Sequence, residues 1–199
     1  MSDKEMKDYV NELIKRYGYY DPIEDRMEAL RSGKIKNAKL LDIGSGKGYL
    51  AILATKEFNC NVTSIDKSKE KIKLAKENAG KEGVMDKIEF KLCDAAKLPF
   101  KANSFDVAFS FGALHHIKNK HMEVIKEMFR VSTDKVIVTE LNNTGIRAFD
   151  GYVHPEENHR AMAIDLKELE NRLQQYSRVK RFDRKMMSTF VCRKNNGGN

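Results

Sequence analysis

Short runs of apolar residues alternate along the chain with stretches whose apolar positions recur at helical spacing. Five runs are typical of strands, because they are short and apolar or rich in β-branched and aromatic residues: KLLDI (39–43), NVTSID (61–66), KIEFKLCD (87–94), SFDVAFSF (104–111) and DKVIVTE (134–140). Helical patterns lie between them at 49–58, 69–80 and 120–131. This alternation predicts right-handed crossovers and a mostly parallel sheet that carries helices on both faces.

The two ends of the chain change this pattern. A helical segment at 165–176 leads into two β-type runs, RVKRF (178–182) and MMSTFVC (186–192), which are too close for a helix between them. They predict a hairpin whose last strand runs antiparallel. Apolar residues at helical spacing near the N-terminus predict a helical extension or lid.

The predicted architecture is therefore a doubly wound α/β sheet of seven strands, with an antiparallel C-terminal strand. We expect a single domain that divides into three parts: an extension at 1–35, a core at 36–194 and a disordered tail at 195–199.

Composition and charge narrow the class of protein. The 199 residues are 41% hydrophobic and 33% charged, and no apolar run approaches the roughly 20 residues that span a bilayer. A charged N-terminus and widely spaced cysteines predict a cytoplasmic protein with no membrane partner. The formal net charge of +8 comes mostly from lysine mixed with glutamate, but the segment 178–194 has seven basic residues and one acid. That segment keeps an anionic partner such as RNA open.

Three glycines at alternate positions, Gly44, Gly46 and Gly48, follow the first predicted strand. A turn of this kind lets backbone N–H groups and a helix N-terminus approach a ligand closely. A dinucleotide-binding turn would need a glycine where Tyr49 stands, and a P-loop would need Gly-Lys-Ser/Thr, whereas Lys47 precedes Gly48. Neither template fits.

Two acidic residues end the second and third predicted strands. Asp66 occupies the position from which an acid can bind both hydroxyls of a ribose. Asp94 can accept the exocyclic amine of adenine, with the N–H of Ala95 directed at a ring nitrogen. The alternative for Asp66 is a helix N-cap or a surface carboxylate.

Together these residues resemble the class I S-adenosylmethionine-dependent methyltransferases, which have a Rossmann-like fold. The segment FDVAFSFGALHHI at 105–117 is similar to the strand-4 segment of the subgroup that acts on small molecules, and the resemblance covers roughly 35–194. It implies S-adenosylmethionine as the cofactor, a glycine turn bent around its methionine part, and Asp42 near its ammonium group. The predicted cofactor-binding residues are Asp42, Gly44, Ser45, Gly46, Gly48, Asp66, Lys67, Asp94, Ala95 and Ser110.

Candidate catalytic residues lie at the ends of the fourth and fifth strands. Methyl transfer from a sulfonium needs placement of the acceptor and, where a proton is lost, a base. His115 or His116 can serve as that base, with structural histidines as the alternative, and Glu140 can orient an amine or a hydroxyl. The candidate substrate-binding residues lie in the long connection 142–164 and in the N-terminal lid: Tyr20, Asn142, Asn143, Arg147 and Tyr152.

Two features that the sequence lacks narrow the chemical class of the methyl acceptor and argue against a metal site. No Asn/Asp-Pro-Pro-aromatic tetrad follows the fourth strand, which disfavours exocyclic amines of bases and glutamine amides. The HxxxxH pair, His154 and His159, has no nearby third ligand, so we predict no metal site. The predicted function is methyl transfer to a small molecule, with a protein or RNA acceptor at the basic hairpin as the alternative. An NAD-dependent oxidoreductase and a non-catalytic cofactor-binding module rank below both, and the oligomeric state stays open.

Overall fold

A seven-stranded sheet runs through the molecule and carries helices on both faces. The computed structural model describes residues 2–17, 23–117, 119–153 and 157–194. The strands are β1 (Lys39–Ile43), β2 (Asn61–Asp66), β3 (Ile88–Leu92), β4 (Phe105–Phe111), β5 (Ser132–Leu141), β6 (Arg178–Asp183) and β7 (Met187–Arg193). The helices are α1 (Asp3–Tyr17), α2 (Ile23–Ser32), α3 (Tyr49–Phe58), α4 (Lys69–Lys81), α5 (His121–Val131), α6 (Asn143–Ala148), α7 (His159–Met162) and α8 (Leu166–Gln174).

The strand order is β3-β2-β1-β4-β5-β7-β6. Strands β1 to β5 pair in parallel, whereas β7 pairs antiparallel with both β5 and β6. This confirms the predicted fold, including the C-terminal hairpin. The order changes direction between β1 and β4, and in open α/β sheets ligands bind beyond the carboxyl ends of the strands at such a point.

Two apolar cores, one on each face, hold the helices to the sheet. Leu40 of β1 and Phe109 of β4 belong to the core beneath α2, α3 and α4. Their neighbours in sequence belong to the opposite core, beneath α5 and α8: Leu41 follows Leu40 on β1, and Ala108 precedes Phe109 on β4. Successive strand residues face opposite sides, so strands covered on both faces are continuously apolar.

The structure differs from the predicted elements at several boundaries, and most clearly in β3 and β5. Strand β3 ends at Leu92, because its partner β2 ends at Asp66 and the last pair is Asp66–Leu92. Asp94 therefore lies in the turn after the strand. Strand β5 begins at Ser132, directly after α5, rather than at 134.

The predicted long connection 142–164 is mostly helical, with α6, a π-helix at Phe149–Val153, and α7. Two asparagines explain where the α-helices begin, because Asn142 accepts the N–H of Gly145 and Asn158 accepts the N–H of Ala161, each at 3.0 Å. Tyr20 and the tail 195–199 lie outside the described residues. Within the described ranges no helix has the length and apolar character to cross a bilayer.

Candidate active site

A cleft of about 1220 Å³ opens at the carboxyl ends of β1, β2 and β4, at the switch point of the sheet. We call it the central cleft. Eight of the residues predicted to bind the cofactor line it: Asp42, Gly44, Ser45, Gly46, Asp66, Lys67, Asp94 and Ala95. These residues come from three separate stretches of sequence. The fold therefore brings the glycine turn and both strand-end acids to one place.

The glycine turn after β1 is fixed by close packing. Gly44 has φ +85°, and a Cβ there would lie 2.5 Å from the Cβ of Ala113 in the loop after β4. Gly48 has φ +86°, and its Cβ would lie 3.0 Å from the Cβ of Ala75 on α4. Only glycine adopts this backbone conformation without strain. Gly44 lines the central cleft, whereas Gly48 is the N-cap of α3 and allows α4 to pack closely.

Asp66 joins the glycine turn to α4. One carboxylate oxygen accepts the backbone N–H of Gly46 at 3.1 Å, and the other accepts the N–H of Ser68 at 3.0 Å. Ser68 is the predicted N-cap of α4, and its hydroxyl accepts the N–H of Lys71. The carboxylate that faces the central cleft therefore has a fixed orientation, which preorganises it for a ligand.

Asp42 lies beneath the turn, almost fully buried, with 1% of its surface exposed. The hydroxyl of Ser64 donates to its carboxylate at 2.6 Å, and the hydroxyls of Ser64 and Ser45 lie 2.7 Å apart. Burial raises the pKa of Asp42 to about 7, against the opposing effects of the Ser64 hydrogen bond and the Arg26 charge. Ser64 was not among the residues predicted from the sequence to bind the cofactor. It is the register partner of Asp42 in the β1–β2 pair.

Arg26 of α2 also lines the central cleft and was not predicted. Its guanidinium carbon lies 4.7 Å from the ring centroid of Phe111 and 5.8 Å from that of Tyr49. A guanidinium packed against aromatic rings is held in place by cation–π attraction. Helix α2 is attached to the core by Leu30, which is fully buried. The central cleft thus has a cation close to Asp42.

The remaining predicted cofactor-binding residues differ in whether they reach the central cleft. Asp94 lines the central cleft, and one of its oxygens accepts the N–H of Ala96 at 2.9 Å. Ser110 lies inside the sheet, fully buried, with no hydrogen-bond partner for its hydroxyl among the described residues. Neither Ser110 nor Gly48 belongs to the cleft lining.

The three candidate catalytic residues lie next to one another. Glu140 is 1% exposed and accepts two hydrogen bonds, from the N–H of Leu114 at 2.9 Å and from Nδ1 of His115 at 2.6 Å. Burial disfavours a charge on His115, but the hydrogen bond and charge of Glu140 raise its pKa overall. His116 alone of the three lines the central cleft, and its ring centroid lies 4.1 Å from that of His115. Desolvation and the neighbouring His115 charge lower the pKa of His116.

The predicted substrate-binding residues lie elsewhere. Asn142 and Asn143 line a separate cavity of about 580 Å³ beside the start of α8. The Asn142 amide is also occupied, because it donates to the backbone carbonyl of Arg184 at 2.9 Å. Arg147 and Tyr152 are exposed and do not belong to the lining of the central cleft. The structure therefore does not bring these four residues to the cleft.

Comparison with known proteins defines the class. Residues 34–186 match the family described as "Methyltransferase domain". Because the match covers more than half of the chain, the chain belongs to this family. Its domain is that of an S-adenosylmethionine-dependent methyltransferase, which confirms the family, enzyme class and cofactor predicted from the sequence.

Particular relatives are similar over part of their length. The chain is 32% identical to norajmaline N-methyltransferase of Rauvolfia serpentina over 111 residues, which are 53% of this chain and 38% of that one. It is 36% identical to 27-O-demethylrifamycin SV methyltransferase of Amycolatopsis mediterranei over 105 residues, 53% of this chain and 37% of that one. The chain thus spans less than half of these curated relatives. A putative S-adenosylmethionine-dependent methyltransferase from Methanococcus maripaludis has the same fold, with a TM-score of 0.74, 18% identity, and coverage of 100% of this chain and 99% of that one.

Proposed function

We propose that this chain binds S-adenosylmethionine in the central cleft and transfers the methyl group to a small-molecule acceptor. One observation carries the proposal: the glycine turn, Asp42, Asp66 and Asp94 all line one cleft. When bound, the cofactor supplies an electrophilic methyl group on its sulfonium. The cleft volume of about 1220 Å³ exceeds the roughly 300–1,000 Å³ of ordinary ligand pockets, so an acceptor also has room.

Each part of the cofactor has a chemically suitable partner in the cleft. Asp66, fixed by two backbone N–H groups, is suited to accept the hydroxyls of the ribose. Asp94 and the backbone of Ala95 are suited to the polar edge of adenine. The amino-acid end is a zwitterion and needs an anion and a cation close together. Asp42 and Arg26 supply that pair.

The other half of the cleft is suited to the acceptor. His116 and Ile117 follow β4, while Ala161 and Met162 belong to α7, so one histidine and three apolar side chains line this end. A neutral His116 can take the proton that a hydroxyl or an amine loses on methylation. His115 is held by Glu140 and cannot turn toward the cleft without losing a buried hydrogen bond. We therefore assign His116 the role of base and the other two residues the role of orienting it.

A small molecule is favoured over RNA by the state of the basic hairpin. Most of its cations are already engaged: Arg181 with Asp183 and Glu170, Arg184 with Glu28, Arg193 with Asp134, and Lys194 with the carbonyls of Phe129 and Ser132. Paired cations release fewer counterions from a phosphate backbone. Both curated relatives named above also bear the names of small-molecule methyltransferases.

Titration calorimetry with S-adenosylhomocysteine tests the cofactor half. We expect a single binding site that Asp66→Ala weakens by about 1–3 kcal/mol, because a fixed charged acceptor is lost. Asp86→Ala is the matched control, since Asp86 is an exposed acid outside the cleft. Absence of heat with millimolar ligand would refute the proposal.

Transfer of a labelled methyl group into fractions of a cell extract tests the acceptor half. We expect label in the small-molecule fraction. Label in RNA would support the alternative, especially with binding that falls about 10³-fold or more between 50 and 200 mM salt. Arg178→Glu with Lys180→Glu should then weaken that binding, because both side chains are exposed on β6. Label in no fraction would favour a non-catalytic cofactor-binding module.

A further inference from the structure

His159, the first residue of α7, is held between two carboxylates although its side chain is only 3% exposed. Its Nδ1 lies 3.1 Å from Oδ1 of Asp150, and its Nε2 lies 3.3 Å from Oε2 of Glu157. Asp150 also accepts the backbone N–H groups of His159 at 2.7 Å and of Arg160 at 3.1 Å. One aspartate therefore binds both the ring and the backbone at the start of α7.

The ring of His159 also packs against the two histidines that follow β4. Its centroid lies 5.9 Å from that of His115 and 6.4 Å from that of His116. Phe149 covers it edge-on, with centroids 5.2 Å apart and the planes at 69°. His159 thus joins the π-helix and α7 to the segment that follows β4.

The residues around His159 form one side of the central cleft. We call Glu157, Asn158, Ala161 and Met162, all of which line the cleft, the α7 wall. Helix α7 has only four residues, and so short a helix is not stable through its own hydrogen bonds. Its place must come from side-chain contacts, and His159 is the buried one among its four residues.

We propose that His159 is a positioning residue: it fixes the α7 wall against the His115–His116 pair and so sets the position of the exposed His116 at the acceptor half of the central cleft. The use of His116 as a base rests on the proposed function, but the placement of the wall does not. The charged and titratable groups around His116 are His115, Glu140, Glu157, His159 and Lys120.

A loosened wall would have a specific consequence for His116. Desolvation by the surrounding residues is the largest cause of its lowered pKa, so a wall that moves away from the ring should raise the pKa toward the ordinary value of 6.5. The glycine turn, Asp42 and Asp66 lie on other elements and should keep their geometry. Loss of His159 should therefore alter the acceptor half of the central cleft and leave the cofactor half unchanged.

Two conservative variants of the full chain test the proposal without any acceptor. His159→Asn retains a donor near Asp150, and His159→Gln retains a donor near Glu157. Hydrogen exchange of residues 157–162 and NMR titration of the His116 ring, assigned with His116→Gln, are the readouts. We expect exchange about tenfold faster or more, a raised His116 pKa, and S-adenosylhomocysteine affinity within about twofold of the unaltered protein. His121→Gln, outside the cluster, is the matched control and should change neither readout.

Folded His159 variants with unchanged exchange and an unchanged His116 titration would overturn the proposal. If both variants fail to fold, hydrogen exchange and the His116 titration are measured on Asp150→Asn, which keeps the His159 ring. Unchanged exchange and an unchanged titration in that variant would also overturn the proposal. Failure of the unaltered protein to bind S-adenosylhomocysteine would instead refute the proposed function, since neither readout on the wall requires the cofactor.

Discussion

Ser64 donates a hydrogen bond of 2.6 Å to Asp42 across the β1–β2 pair, at the bottom of the central cleft. The bond stabilises the charged form of a carboxylate that burial otherwise disfavours. In the absence of a cationic ligand, a buried acid of this kind is a cost to the fold. Sites of binding and catalysis often hold such groups, because the ligand removes the penalty.

Stability of the unliganded protein should therefore depend on pH through Asp42. Its pKa is raised from 3.8 to about 7, so the folded state binds more protons than the unfolded state between these values. The Asp42 contribution then lowers stability as pH rises from about 4 to 7, by a few kcal/mol at about 1.4 kcal/mol for each unit of pKa. We measure the free energy of unfolding of Asp42→Asn and of the unaltered protein in urea at pH 5 and pH 8. The difference between the two proteins should favour Asp42→Asn more at pH 8 than at pH 5.

The other titratable groups are the same in both proteins, so their pH-dependent contributions to stability cancel in this comparison. Ser64→Ala provides an internal check, because it removes the bond that favours the charged form and should enlarge the loss at pH 8. A difference between the unaltered protein and Asp42→Asn that is the same at both pH values would contradict the raised pKa.

Arg26 should recognise the carboxylate of the amino-acid end of the ligand. Arg26→Ala should weaken S-adenosylhomocysteine by about 1–3 kcal/mol, the cost of losing a hydrogen bond to a charged group. The affinity for 5′-methylthioadenosine, which has no amino-acid end, should stay the same. Calorimetry with both ligands measures the difference directly.

Arg31→Ala is the control for helix α2, because Arg31 is exposed and its guanidinium pairs with Glu28 on the same helix. Equal losses for both ligands in Arg26→Ala would show that the substitution disturbs the cleft as a whole. Decarboxylated S-adenosylmethionine refines the result, since it keeps the ammonium near Asp42 but should be insensitive to Arg26.

Gly48 should be intolerant of any side chain. Gly48→Ala adds a Cβ at φ +86° and 3.0–3.2 Å from atoms of Ala75, where α4 backbone cannot easily move. We expect a loss of about 1–3 kcal/mol in the free energy of unfolding. Gly80→Ala is the matched variant within α4, with no atom within 4 Å of its Cβ, and should be neutral or more stable by up to about 1 kcal/mol. Similar results for the two would show that α3 and α4 can separate.

The cofactor half of the site was predictable because its signals are local in sequence. The glycine turn, Asp66 and Asp94 each lie at the end of a strand, and parallel strands carry their carboxyl ends to one edge. Arg26 gave no such signal: in IEDRMEALRS a charged residue has the pattern of a solvated helix face. Only the packing of α2 beside α3 brings it to the cleft.

The acceptor half was harder to predict for the same reason. Asn142 and Asn143 follow β5 at the correct edge of the sheet, but β5 lies one strand farther from the switch point, and a separate cavity receives them. His159 lies in the connection 142–164 that was predicted to contact the substrate, yet its ring is buried between Asp150 and Glu157. Nothing in the spacing of these residues along the chain indicates that a π-helix and a four-residue helix fold back over β4.

His116 should be needed for transfer and not for cofactor binding. His116→Ala should lower the rate of methyl transfer into the labelled extract fraction by about 10²- to 10⁴-fold, the usual contribution of a positioned base. Affinity for S-adenosylhomocysteine should change little, because His116 lies beyond the glycine turn and the strand-end acids. His121→Ala controls for the loss of a histidine outside the cleft.

The pH profile of the same reaction distinguishes a base from a merely structural ring. A base must be neutral, and the pKa of His116 is lowered, so transfer should persist as pH falls from 8 through 6.5 and decline only below that value. The decline should disappear from the residual activity of His116→Ala. A midpoint at or above 6.5 would contradict the lowered pKa of His116, and transfer by His116→Ala at the unaltered rate would exclude it as the base.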